Sequence, residues 1–129
     1  MKKFSMTKEK FINQWLRHFA QGLSKKDFEA YVKGQYIWHV FSFPLLEYNT
    51  LLTGDEARKA FDKIDKSNCI CCDMFGTEGV TDTLAPDCCT AATIDLRYRE
   101  FYVVASDYSW TYIRTHEDGL CGPYFLKLK

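Results

Sequence analysis

The chain has 129 residues and a mass of 15.1 kDa, the size of one domain around one core, and residues 1–129 are read as a single globular unit. Hydrophobic residues make up 47% and charged residues 26%, which excludes a disordered or collagen-like chain. Seventeen Lys and Arg against seventeen Asp and Glu leave a formal net charge of zero. That balance lacks the basic field a phosphate backbone demands, so nucleic acid is not an expected partner.

The charge is unevenly spread. Residues 1–66 hold 12 basic and 8 acidic side chains, a net +4, while 67–129 hold 5 and 9, a net −4. Residues 67–96 contain no Lys or Arg but carry Asp73, Glu78, Asp82, Asp87 and Asp95. Such a stretch is either a solvated acidic loop or a surface that steers a basic protein partner. The N-terminus begins basic, yet Lys8, Glu9, Lys10 and Arg17 interrupt the apolar run that export requires. The most apolar stretch, 36–46, is shorter than the roughly 20 residues of a bilayer span. A cytoplasmic location with no membrane contact is expected. The six cysteines are then expected as thiols, and the neighbouring pairs Cys71–Cys72 and Cys88–Cys89 are too close along the chain to bridge without strain.

Thr7 reads as the N-cap of a first helix whose Phe11, Ile12, Trp15, Leu16 and Phe19 recur at helical spacing until Gly22. Ser24 with Asp27 opens a second helix closed by Gly34. From Gln35 to Phe43 the residues are aromatic and β-branched on both alternating sets, which predicts a strand buried on two faces. Thr53-Gly54-Asp55-Glu56 matches a capping box for a third helix running to about Lys66. Cys69 to Phe75 reads as a strand, and 76–89 as a polar connection broken by Gly79 and Pro86. Ile94 to Tyr98 has an ambiguous period and is compatible with another strand. Phe101–Ala105, Trp110–Thr115 and Tyr124–Leu128, separated by turn chemistry, predict a C-terminal antiparallel meander. The fold class expected is α+β, with N-terminal helices packed on one face of a mainly antiparallel sheet.

Two groups of side chains carry candidate chemistry. Cys69, Cys71, Cys88 and Cys121, with Cys72 and Cys89 beside them, are a set from which zinc or another soft metal could draw thiolates. On a strand, however, Cys69 and Cys71 point one way and Cys72 the other. The absence of nearby cations also argues against a reactive thiol, leaving buried apolar cysteines as the simpler reading. No metal or cofactor is therefore favoured. The second group is Thr115-His116-Glu117 at a hairpin end. His39 is a possible neighbour, and Trp38, Trp110 and Tyr124 are possible walls of a small-molecule or hydrolytic cleft. Against that stands the reading in which these histidines and aromatics are hydrogen-bonded core. No nucleophile elbow, zincin helix, phosphate loop or calcium loop occurs, so no residue is assigned a catalytic role.

Trp38-His39-x-Phe41-Ser42, Gly54-Asp55-Glu56-Ala57 and Trp110-Thr111-Tyr112-x-x-Thr115-His116-Glu117, followed by Cys121-Gly122-Pro123-Tyr124-Phe125, resemble a small bacterial family of the domain of unknown function 4275 type, over about Tyr36 to Phe125. The resemblance implies a cytosolic α+β single domain containing the Trp-His and Thr-His-Glu motifs, and it implies no activity. The cysteine group belongs to none of its motifs. With no catalytic signature, the leading expectation is a non-enzymatic interaction protein, immunity-type or regulatory, that meets a basic partner through acidic surface. The alternatives are the His39/His116/Glu117 cleft and the cysteine site.

Overall fold

The computed structural model describes residues 6–32, 38–42, 51–75, 80–82, 90–116 and 122–128. Helix α1 (Lys8–Phe19) starts where Thr7 accepts a hydrogen bond from the Lys10 amide at 3.1 Å and buries Phe11, Trp15 and Phe19. Ser24 caps α2 (Lys25–Asp27) in the same way, and the chain widens into a π-helical turn over Phe28–Val32. After α3 (His39–Ser42) come the short strand β1 (Leu52–Thr53) and helix α4 (Gly54–Lys63). The junction between them needs Gly54, whose φ of +59° lies in the left-handed region that other side chains avoid. Its amide donates to the Pro123 carbonyl at 3.0 Å, tying the helix start to the far end of the chain. Thr53 occupies the N-cap without a side-chain cap bond.

Strands β2 (Cys69–Asp73) and β3 (Val80–Thr81) lead to helix α5 (Ala91–Arg97), and β4 (Phe101–Ala105), β5 (Trp110–Arg114) and β6 (Tyr124–Lys127) complete the chain. The six strands form one sheet in the order β1-β6-β5-β4-β2-β3, every pairing antiparallel. The expected C-terminal meander is β4–β5–β6, with Val103 opposite Tyr112 and Tyr112 opposite Phe125.

Alternation along these strands builds two cores rather than one. On one face Ile70, Cys72, Tyr102, Val104, Ile113, Tyr124 and Leu126 pack under α1 and α3. On the other, Cys69, Cys71, Phe101, Val103, Ala105, Trp110, Tyr112 and Phe125 pack under α4 and α5. Helices therefore cover both faces, which corrects the one-face expectation. Every residue of β4 is buried, so neither face of this central strand meets solvent.

Two local expectations also change. The 35–43 segment is helical over His39–Ser42, because Trp38 and Phe41, three residues apart, both enter the same core; a strand would send them to opposite sides. Likewise Ala91–Arg97 is a helix, capped by Thr90 and burying Ala91 and Ile94 at the same spacing. The predicted Gly34 stop lies outside the described residues.

One buried polar link clamps α1 to the sheet. The Trp15 indole N–H donates to Thr111 Oγ1 at 2.9 Å, and that hydroxyl donates to the Val103 carbonyl at 3.0 Å. Thr111→Val keeps the volume and orphans the indole N–H, so it should lower unfolding free energy by about 1–3 kcal/mol. Thr111→Ser, which keeps the hydroxyl, should lose less; equal losses in urea denaturation would show that the bond contributes nothing.

Candidate functional site

At one end of the sheet, strand alternation carries a carboxylate inside. Glu100 precedes β4 and shares the face of Tyr102 and Val104, and it is fully buried. Burying an ionised carboxyl alone is prohibitive, so its oxygens require donors. Three converge. Glu100 Oε1 accepts from Trp38 Nε1 at 2.9 Å and pairs with His116 Nδ1 at 2.8 Å, while Oε2 accepts from the Tyr102 hydroxyl at 3.2 Å. His116 presents Nδ1–H to the carboxylate in this arrangement, the usual way a carboxylate fixes an imidazole.

The donors come from separate parts of the chain. Trp38 immediately precedes α3, Tyr102 lies on β4, and His116 follows β5. Pairing of Phe101 with Arg114 and Tyr102 with Ile113 brings the start of β4 beside the end of β5. Thr115, fully buried, is held there by Gly122: a Cβ added at Gly122 would sit 3.0 Å from Thr115 Cγ2, and its φ is +83°. Around the hub, the Trp38 ring meets both His39, at 4.6 Å between centroids, and His116, at 5.9 Å. The Phe75 ring lies 5.5 Å from that of His116, and the Arg99 guanidinium sits over the Phe75 ring at 5.6 Å.

Burial pushes the Tyr102 hydroxyl well above its usual range, and the negative charge of Glu100 and the bond to it act in the same direction. The Cys72 thiol, opposite Tyr102 in the sheet, is pushed up to about 12, chiefly by burial, with the Lys8 ammonium pulling the other way. A thiol held protonated in this way is a packing group, not a nucleophile.

The structure thus brings Trp38, His39 and His116 around one indole, with Thr115 beside the same hairpin end. Tyr124 lies in the same core, 5.6 Å from Phe41. Trp110 does not join them: it faces the opposite core and packs on Phe61 and Phe125. A single cleft walled by Trp38, Trp110 and Tyr124 is therefore ruled out by the sheet between them. Glu117, Cys88, Cys89 and Cys121 lie outside the described residues. Cys69 and Cys71 are separated from Cys72 by the sheet, and among the described residues no three His, Cys, Asp or Glu side chains are grouped to hold a metal. Sequence reasoning missed Glu100, although the period of two that places Tyr102 and Val104 inside places Glu100 with them.

Comparison with known families bears on these motifs. A family model described as Domain of unknown function (DUF4275) matches residues 1–125. The chain belongs to this family. The match takes in α1 and α2 as well as the 36–125 span that carries the motifs. No curated protein and no solved structure matches the chain.

Removing the Glu100 carboxylate should be severe. Glu100→Ala orphans three donors and is expected to lower stability by about 3–5 kcal/mol, with Glu100→Gln losing less; a loss below 1 kcal/mol for both would contradict the hub. Cys72 generates a pH effect of defined sign. Its thiol loses its proton near 9.0 when unfolded and near 12 when folded, so the unfolded state releases protons first and stability falls as pH rises from 9 toward 12. Cys72→Ala should flatten that fall in alkaline denaturation, and Cys72 should resist alkylation at pH 8 until the chain unfolds, as mapped by mass spectrometry.

Proposed function

We propose that this domain is a non-enzymatic cytosolic interaction protein, of an immunity or regulatory kind, that meets a basic protein through acidic surface. The observation that carries this reading is the inward use of the motif side chains: Trp38 and His116 both bond a fully buried carboxylate. In this reading Trp38 and His116 serve the architecture of the domain. No described helix is long and apolar enough to cross a membrane.

The acidic surface is narrower than the composition of 67–96 implies. Asp95 is taken up internally, bonded to Arg58 at 2.9 Å and to Arg114 at 3.2 Å. Asp82, just past β3, is exposed, and Asp73 at the end of β2 is half-buried; Glu78 and Asp87 lie outside the described residues. Asp82 is thus the described acid of the 67–96 stretch best placed to meet a partner. Attraction between exposed charges weakens with salt. A basic partner retained from the native host at low salt should be released at high salt, and Asp82→Lys should weaken its capture. Recovery of no specific protein, or capture indifferent to both salt and Asp82→Lys, would contradict the proposal.

A second reading is favoured by one observation, the 2.8 Å Glu100–His116 contact, since a carboxylate-fixed imidazole is the geometry of a general base. It expects His116→Gln to abolish binding or turnover of a small molecule while leaving protein capture intact.

A further inference from the structure

Away from the Glu100 hub, a cleft of about 460 Å³ opens at the other end of the sheet, lined by residues that include Asp65, Ser67, Asn68, Asp107, Trp110 and Lys127. Its volume falls within the ~300–1,000 Å³ of small-molecule sites. Two sides of it are tied together where the Ser106 amide donates to the Asn68 carbonyl at 3.0 Å.

Trp110 is only 4% exposed, yet its polar atom is treated differently from those of the other tryptophans. Trp15 and Trp38 donate their indole N–H groups to Thr111 and Glu100; that of Trp110 has no acceptor among the described residues. Tyr112 Oη is the side-chain atom among them that is both sealed from solvent and unpartnered. The Trp110 N–H is therefore not sealed from solvent, and the residue that carries it lines the cleft. A nearly buried donor without an acceptor is suited to a ligand oxygen.

The two carboxylates supply the opposite requirement. Asp65 accepts from the Ser67 amide at 3.0 Å and from the Ser67 hydroxyl, and Asp107 accepts from the Ser109 amide at 3.0 Å. These bonds hold both carboxyls below their usual range, so both face the cleft as anions. Lys127 adds one cation to the lining.

We propose that this cleft binds a small zwitterion of the α-amino acid class, its ammonium against Asp65 and Asp107 and its carboxylate on the Trp110 indole N–H. This activity is independent of any protein partner. A ligand carrying both charges uses the whole lining, whereas a plain amine leaves the indole unpartnered and a plain acid meets two anions.

The test is a ¹H–¹⁵N titration of the full chain at millimolar concentration with each common α-amino acid, and with ethylamine and acetate as probes bearing one charge each. At least one amino acid should move the Trp110 indole signal and the Ser67 and Ser109 amides saturably, binding at least about tenfold more tightly than ethylamine or acetate. Asp65→Asn/Asp107→Asn should weaken it about tenfold or more. Asparagine keeps the oxygen that the Ser67 and Ser109 amides need, so the turns persist; an unchanged unfolding midpoint checks this. The proposal is overturned if no amino acid moves the Trp110 signal, if ethylamine or acetate binds as tightly, or if the folded double variant binds undiminished. The single-charge comparison uses the unaltered chain and so does not depend on the variant.

Discussion

A carboxylate with no access to water dictates the organisation of one whole end of this molecule. Glu100 is admissible inside only because Trp38, Tyr102 and His116 meet its oxygens, and each of those donors arrives by a different route through the chain. The segment before α3, the first strand of the meander and the residues just past β5 must all be in place before the charge is compensated. Such a group adds little net stability compared with an apolar core, but leaving it half-satisfied is heavily penalised. It therefore selects one arrangement of these elements over looser alternatives with equal apolar burial.

The rest of the fold follows from a sheet that is covered on both sides. Once α1 and α3 occupy one face and α4 and α5 the other, side chains of successive residues are consigned to different cores. Cys71 and Cys72 cannot meet, and Trp38 and Trp110 cannot share a wall. This partition, more than any missing motif, is what separates the candidate residues into the Glu100 hub at one end and the Trp110 cleft at the other. Charge is partitioned too: Asp95 joins Arg58 of α4 to Arg114 of β5, so one member of the acidic stretch serves to hold α5 on the sheet.

The strands of the meander were legible because β-branched and aromatic residues alternate there with turn residues between them, and Thr7 and Ser24 announced their helices through cap chemistry that acts within four residues. What sequence alone obscured were short helices in aromatic or β-branched stretches. Trp38 to Ser42 carries strand propensity, and tertiary packing of Trp38 with Phe41 overrides it. Ile94 to Tyr98 misleads similarly, since the spacing that matters runs from Ala91 to Ile94. Glu100 was hidden for another reason: a charged residue is read as surface by default, and only its pairing partners, 16 and 62 residues away in the chain, make its burial possible. The DUF4275 family match runs over residues 1–125 and so takes in the carboxylate and all three of its donors.

The most direct measurement is a double-mutant cycle between Trp38→Phe, which deletes the indole donor, and Glu100→Gln, which removes the charge. If the carboxylate is the group that Trp38 serves, the two changes should couple by about 1–3 kcal/mol in unfolding free energy. Additive losses, with coupling near zero, would mean that the indole and the carboxylate stand side by side without depending on each other.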